Sequence, residues 1–473
     1  MHPLLLLLLL LLPPTILLFH HRHRRHSTIP TLHPLSTYTT LPILLPTLLG
    51  YRNKTIHAAH IRHGPIIRLS PNEISLSSPE ALSTIYTSFP KPPWYNIFRN
   101  YGIPPMFSLL AGKSHAARKK ILAGSYSNSV VSRSVVLREV AEEVIPELLS
   151  GFEGKEEVEV WSRFVKLAMD FVTAFLFTRE VGSRFLSGED EGEILRRYHS
   201  RQGYFAVSSE LPWLSRWVVP GWVDDANTEI EAWCERLCDA RRGEWKGGEE
   251  KCVVDRLLSS GLEKTQISSE MLDHIGAGHE TTALALSFTL AAMSTRPEMQ
   301  REVRRSLEPL LEERNGWRIP RLREEDGYKA LEEHALLNAI IKESLRLYAP
   351  IPGSQPRVVP RDMDILGYFV PAGTTVSSQA WTLHRDPAIW GDDVEEFLPE
   401  RWMEGRGVEK AWWAFGSGGR GCIGQYLARW ELRVVVASVY ANYETTWKGE
   451  GVEMVDAYTT APVEDVLVGF RRV

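Results

Sequence analysis

Cysteine is scarce in this 473-residue chain: Cys234, Cys238, Cys252 and Cys422 are the only four, at uneven spacing. That is too few for a disulfide framework and favours a reducing compartment. Cys234 and Cys238 stand four apart in a predicted helix, but no second C-x-x-C or paired His completes a zinc set, so two ordinary helical cysteines is the plainer reading. Excess charge is missing as well. A net charge of −5 gives no bulk attraction to nucleic acid. No G-K-[ST] accompanies a Gly-rich loop, which excludes a Walker phosphate site, and no repeat or low-complexity linker follows residue 60. What remains, 44% hydrophobic and 24% charged residues, is ordinary globular composition, long enough for two or three average domains or one large one.

Long apolar runs are confined to the N-terminus. Residues 4 to 12 are nine leucines, followed by Pro13-Pro14, Thr15 to Phe19 and the basic cluster His20 to His26. The apolar stretch covers about sixteen residues, short of the roughly 20 of a comfortable span, so a secretory signal is the rival reading. The basic cluster follows the apolar run, no small-x-small cleavage site is evident, and downstream positive charge stays cytosolic. Residues 1–26 are therefore read as a membrane anchor with a basic flank, a His-rich metal tail being the alternative for the flank. Residues 27–60 read as a proline-rich linker or membrane-associated segment, in which Leu41 to Leu49 is too broken by proline to span but could rest on the bilayer. Asn53-Lys-Thr55 matches a glycosylation acceptor that a cytosolic location leaves unused.

Residues 61–473 form the catalytic domain in this reading. Ile66 to Ser70 and Glu73 to Leu76 predict two strands around a Pro-Asn turn. From about 80 to 350 the apolar spacing is helical, with surface loops expected over Arg241 to Glu250 and Glu312 to Asp326. The longest clean helix is expected from near Ser268 to Thr295-Arg-Pro297, about 26 residues or roughly 39 Å. Beyond 350, short strands and turns (Pro356 to Pro360, Asp364 to Phe369, Gly373 to Ser378) precede a last helix after Cys422. The fold class is mainly α with small β-sheets, α+β.

The stretch WAFGSGGRGCIG, residues 413–424, reads in two incompatible ways. Gly416, Gly418 and Gly421 spell the G-x-G-x-x-G of a dinucleotide cradle. Such a cradle needs a strand before it, a helix after it and repeated βαβ units; here about fifty residues remain and no such units surround it. Alternatively, Cys422 stands at a helix N-terminus, where backbone N–H groups, the dipole and Arg420 favour a thiolate. The glycines let the backbone approach a flat ligand, and a buried thiolate suits an axial haem ligand.

Phe415, Gly418, Arg420, Cys422 and Gly424 resemble the cysteine loop of the cytochrome P450 family at all five defining positions. Three further motifs follow the family's order. Ala277-Gly-His-Glu-Thr-Thr282 resembles its oxygen-activation motif; Gly278 removes bulk where a ligand could press on the helix, while Glu280 and Thr281 supply an acid and a hydroxyl for proton relay. Glu343-Ser-Leu-Arg346 and Arg401 of Pro399-Glu-Arg-Trp402 are similar to the family's buried Glu–Arg–Arg network, which is structural. Arg357 matches a position that pairs with a haem propionate. The family's W-x-x-x-R departs here to His115 and Lys119, both donors but without the planar fork, and Arg118 is an alternative to Lys119.

The resemblance implies the cytochrome P450 fold in a single large domain, haem b on the Cys422 thiolate with Phe415 shielding the sulfur, and a monooxygenase acting on a hydrophobic small molecule. It also implies an endoplasmic reticulum anchor with a cytosolic catalytic domain. Electrons would come from NADPH through a separate NADPH–cytochrome P450 reductase, with cytochrome b5 a further candidate donor. A haem-thiolate isomerase, dehydratase or peroxygenase needs no reductase; the Glu280-Thr281 pair argues against it. A nicotinamide dehydrogenase and a non-catalytic haem carrier are the remaining rivals. Phe205 to Trp217, the helix around Gly276, and Ile351 to Gln355 are the expected pocket walls, and Trp213, Trp217 and Trp222 fit either an apolar substrate or core packing. The run at 64–73 resembles fungal members, many of which tailor terpenoid, polyketide or indole metabolites.

Overall fold

A computed structural model of the chain describes residues 29–188, 192–247, 251–324, 326–405, 408–449 and 451–473. The leucine run and basic cluster, and with them the expected anchor over 1–26, lie outside the described residues.

Helix Lys264–Ser294, 31 residues long, runs through the apolar core. It begins at Lys264 rather than near Ser268 because Glu263 and Gln266 form a reciprocal capping box, with Gln266 Oε1 accepting the Glu263 N–H at 3.1 Å. Ser268 and Ser269 resemble caps in sequence, but their hydroxyls donate instead to the Lys264 and Ile103 carbonyls, at 3.2 and 2.9 Å. Helix Val160–Phe177 packs along this central helix, and helix Gln425–Asn442 packs on another side. Gly278 makes the first of these packings possible: a Cβ there would fall 2.6 Å from Val172 Cγ2. Between Ile267 and Met293 the less buried residues are Asp273, Gly276, Ala277, Gly278, Glu280 and Thr281. All except Gly278 share one stripe, spaced i, i+3, i+4, i+7 and i+8.

A four-stranded sheet flanks the helices. Its strands, each within a stretch expected as strand from the sequence, run Ile66–Ser70, Glu73–Leu76, Thr375–Ser377, Arg357–Val358 across the sheet, an order the sequence does not announce. The first pair is antiparallel (Ile66 opposite Leu76), the second parallel (Glu73 opposite Thr375), the third antiparallel (Arg357 opposite Val376). This sheet fixes the backbone of Arg357. A C-terminal sheet joins Tyr443–Trp447, Leu467–Arg472 and Val158–Glu159. Met363–Ile365 and Tyr368–Val370 form a hairpin.

Two expected surface loops differ. Helix Trp222–Glu244 continues through Arg241, whose guanidinium is held by Asp255 at 2.7 and 2.8 Å. Residues after 311 form a hairpin, Leu311–Arg314 with Trp317–Pro320, turning at Asn315-Gly316 with φ of 52° and 80°. Asn-Gly supplies the two left-handed residues of a tight hairpin turn, a signal masked by the charged residues around it. The 27–60 segment, expected as linker or membrane-associated chain, is folded from residue 29 onward: helices Leu41–Leu48 and Arg52–His63 place Ile43, Ile56 and Ala59 against Ile67 and Leu69 of the sheet. Asn53 is buried and donates to the Ala457 carbonyl at 3.1 Å, so the acceptor amide of the glycosylation triplet is engaged inside the fold. Among the described residues no helix is long and apolar enough to cross a membrane.

Candidate active site

The loop 413–424 is closed by the Cys422 N–H donating to the Phe415 carbonyl at 2.8 Å. Gly416 and Gly418 have φ of 65° and 67°, in the left-handed region. A Cβ on Gly418 would meet the Tyr86 carbonyl oxygen at 2.2 Å, so packing on helix Pro79–Ser88 also requires glycine there. Gly418 to Arg420 form one 3₁₀ turn, and the helix starts only at Gln425, with Gly424 as N-cap. The G-x-G-x-x-G spacing therefore builds a cysteine loop, with no strand–glycine–helix unit around it. Cys422 is exposed in surface area, yet it lies deep enough that burial pushes its thiol up. The Gly424 amide, Arg429 and Lys119 pull the other way. The Phe415 ring packs against Trp412 and under the Arg429 guanidinium.

Beside the loop lies a cluster of cations. Arg357, 3% exposed, donates to Tyr95 Oη at 3.0 Å and lies over the Tyr86 ring, while its Nε is buried without a hydrogen-bond partner. Arg420 donates to the Leu109 and Leu110 carbonyls at 2.5 and 3.0 Å; burial first, then Arg357, lowers it to about 10. Lys119 donates to the Gly419 carbonyl at 2.8 Å, and burial lowers its pKa. His115 is buried and lowered to about 3, by burial and then by Arg420, Lys119, Lys91 and Arg357. Arg118 turns elsewhere, into a buried ion pair with Glu270. Lys119, not Arg118, therefore borders the cysteine loop.

Lys91 belongs to this cluster and carries no motif in the sequence. It is 5% exposed, its ammonium donates to the Phe107 carbonyl at 2.5 Å and sits 3.8 Å from both the Tyr95 and Phe107 ring centroids. Burial drives its pKa down, aided by Arg357 and Arg420. None of Lys91, Lys119, Arg357 and Arg420 has a carboxylate at ion-pair distance among the described residues. Buried positive charge without a counter-charge is costly. An accessible deep thiol beside such a cluster fits a flat dianionic macrocycle whose metal takes the sulfur.

The central helix supplies the facing wall. Tyr126 feels the charges of both Cys422 and Asp273, which ties loop and helix to one interior region. Ala277 is exposed although it stands mid-helix, and Thr281 Oγ1 donates back to its carbonyl at 2.7 Å. Glu280 accepts from Gln202 Nε2, and burial raises its pKa. Gly278 differs from expectation: its missing side chain serves helix packing against Val172, and Ala277 presents the open surface. Phe205 joins Trp94, Phe98 and Tyr458 in an aromatic cluster. Trp213 and Trp217, 70% and 73% exposed, point outward and line neither pocket nor core; Trp222 is exposed too. A separate cavity of about 1010 Å³, lined by Lys54, Phe288, Trp381 and Val452, shares no residue with this site. Cys234 and Cys238 are buried in their helix, with Cys234 facing the Ser268 carbonyl.

Behind the loop sits a buried network. Glu343 takes Arg346 at 2.8 and 2.9 Å, Arg401 at 2.8 Å and Trp402 Nε1 at 2.9 Å. His384, which no motif singled out, joins it to the loop. Its Nδ1 lies 2.9 Å from the Arg346 carbonyl, and its Nε2 accepts the Trp413 N–H at 2.8 Å. Only a neutral ring protonated at Nδ1 satisfies both, in keeping with a pKa lowered to about 3 by burial and Arg346.

The family model described as Cytochrome P450 matches residues 79–463. Curated relatives include the cytochrome P450 monooxygenase stcB of Emericella nidulans, 27% identical over 437 residues, covering 87% of this chain and 81% of that protein. Another is the cytochrome P450 monooxygenase avaI of Aspergillus versicolor, 27% identical over 398 residues, covering 78% and 92%. Pisatin demethylase of Fusarium vanettenii is 25% identical over 430 residues, covering 85% and 83%. A crystal structure of a cytochrome P450, CYP102L1, shares the fold with a TM-score of 0.77 at 19% identity, over 94% of this chain and 99% of that one.

Proposed function

Because the chain belongs to the cytochrome P450 family and is an oxygen-incorporating oxidoreductase, we propose that it hydroxylates a hydrophobic small molecule, a secondary metabolite such as a terpenoid, with Cys422 as the axial ligand of haem b. When bound, a thiolate-ligated haem supplies activation of dioxygen and oxidation of an unactivated C–H bond, using electrons from a separate redox partner. The observation that carries the reading is the accessible Cys422 thiol beside two buried cations, Lys91 and Arg357, and two half-buried ones, Lys119 and Arg420, none with a carboxylate partner among the described residues.

The protein's own residues divide the work. Gly424 N–H donation and the nearby Arg429 and Lys119 favour the thiolate over the thiol. Arg357, Arg420, Lys91, Lys119 and His115 are the groups for the two propionates. Ala277 lets the cofactor and its substrate lie close to the central helix, while Gly278 seats that helix against Val172. Glu280 is an acid whose pKa burial raises and which Gln202 tethers, and Thr281 is a hydroxyl that can release the Ala277 carbonyl to hand a proton inward. The aromatic cluster around Phe98 and Phe205 keeps the chamber dry and receives an apolar substrate.

NADPH–cytochrome P450 reductase, with cytochrome b5 as a second donor, is the proposed partner, and the endoplasmic reticulum membrane the proposed location. Support for the membrane comes from exposed Leu41, Leu45 and Leu48 on one short helix, with Leu49 as its C-cap, and exposed Trp213, Trp217 and Val218 on another. Helix Phe205–Glu210 packs against both, which brings the two exposed apolar sets to one neighbouring helix and supports a shared membrane contact. Turnover of an apolar metabolite panel tests the reading. Oxidation with NADPH, reductase and dioxygen supports it; oxidation driven only by peroxide, with no reductase response, would favour the peroxygenase alternative.

A further inference from the structure

The cavity of about 1010 Å³ is built apart from the cysteine loop. Its floor is buried: Phe288, Leu347 and Met454 are 0%, 2% and 5% exposed. Phe288 stands two turns beyond Thr281 on the central helix, roughly 10 Å further along. Tyr348, Trp381 and Trp447 are part-buried and give the walls aromatic surface, with the Tyr348 ring 5.6 Å from that of Phe288. One cation already lies on these walls, the Arg385 guanidinium 3.8 Å from the Trp381 ring. The rim is charged. Each cation lining the cavity is matched by an acid: Lys54 by Glu453 at 3.7 Å, Arg385 by Glu395 at 3.2 Å, and Lys448 by Glu157 at 3.1 Å. Glu464 and Asp465, both exposed on the rim, make no ion pair among the described residues. The charge left facing the cavity is therefore negative.

Aromatic walls beneath unpaired carboxylates attract an organic cation and repel an anion. The volume admits a drug-sized molecule. We propose that this cavity is a second ligand site, taking a small organic cation with an apolar ring body, and that its occupancy is felt in the substrate chamber. The connection is one hairpin, residues 452–463. Its base pairs Met454 with Pro462, both lining the cavity, and the Val455 N–H donates to the Ala461 carbonyl at 2.8 Å. Its tip carries Tyr458, whose Oη accepts from Gln355 Nε2 at 3.1 Å and whose ring stacks on Phe205 at 5.8 Å, in the aromatic cluster of the chamber. A ligand that moves the base of the hairpin moves the ring at its tip, and by linkage the chamber's occupant alters the cavity's affinity in turn. The site stands without the haem-thiolate reading; only its coupling to a substrate chamber rests on that reading.

The test titrates full-length holoprotein by calorimetry with three matched probes: trimethyl(1-naphthylmethyl)ammonium, 1-naphthylmethanol and 1-naphthylacetate. A quaternary nitrogen cannot ligate iron, which keeps the cation from reporting the haem. It should bind about tenfold tighter than the alcohol, with the acetate weakest, and salt should narrow the gap. The double variant Glu464→Gln, Asp465→Asn should cut that preference about threefold or more. Val452→Trp fills the cavity and should abolish binding there while leaving the absorption spectrum unchanged. Saturating cation should change the dissociation constant of androstane, read by optical difference spectra, about fivefold in the wild type and not in Val452→Trp. Equal binding of the three probes would overturn the proposal. So would a cation preference unchanged in both variants, or an androstane affinity indifferent to the cation. A haem-free wild type that still binds the cation with these preferences would support the site and defeat the haem-thiolate reading instead.

Discussion

Lys91 and His384 are the two residues whose roles only the folded chain reveals. Lys91 lies between prolines in Phe89-Pro-Lys-Pro-Pro93, where no spacing marks it; its position follows from the rings of Tyr95 and Phe107 closing over it. Lys91→Met keeps the volume and removes a buried charge. It should raise the thermal stability of haem-free protein while weakening haem binding by about tenfold, roughly one charge-assisted contact. Melting curves and haem titration read the two effects separately, and a loss of both would contradict the assignment. His384 is neutral in the fold and lowered to about 3, against 6.5 when unfolded. The unfolded chain therefore takes up the proton first as pH falls. The stabilising effect is fully present above 6.5 and shrinks as pH drops toward 3, by up to about 1.4 kcal/mol per pH unit. Chemical denaturation of wild type and His384→Gln between these limits should show that difference closing toward acid pH; a constant gap would contradict it.

At the scale of elements, the sequence and the fold agree wherever periodicity met an unambiguous boundary. Strands Ile66–Ser70 and Glu73–Leu76 coincide with expectation, as does the stop of the central helix before Arg296-Pro297. Boundaries slipped where a side chain's role depended on burial. Ser268 and Ser269 bond carbonyls from inside the helix, and the Asn315-Gly316 turn is framed by charged strands. The site motifs were legible because Cys422, Glu343, Arg346 and Arg401 sit in short local patterns; the cation cluster and the outward Trp213 and Trp217 depend on tertiary placement. The Glu343 network joins helix Ala335–Leu347 to segment 399–402 and, through His384, to the cysteine loop. Glu343→Gln leaves the buried Arg346 guanidinium without a charge partner and Arg401 with Asp393 alone, at 3.1 Å, a loss of about 3–5 kcal/mol. Expression with haem supplied should give mostly haem-free or aggregated chain, whereas a folded, fully haem-loaded variant would show that the network does not support the loop.

At the scale of the whole molecule, the proposed chemistry lies at the interior Cys422 thiol and the proposed membrane contact on exposed apolar side chains of the exterior. Sedimentation with phosphatidylcholine vesicles checks the exterior. A chain beginning at residue 29 should still bind them, and the pair Leu45→Glu and Trp217→Glu should reduce binding about tenfold, since both side chains are exposed on that surface. Undiminished binding would place the membrane contact elsewhere. The central claim concerns the interior, that Cys422 holds haem iron as a thiolate, and the reduced, carbon-monoxide-bound absorption spectrum addresses it most directly. Wild-type holoprotein should show the red-shifted Soret band of thiolate ligation, and Cys422→Ala should lose it. A wild-type Soret band without that shift, or an unchanged band in Cys422→Ala, would contradict the account.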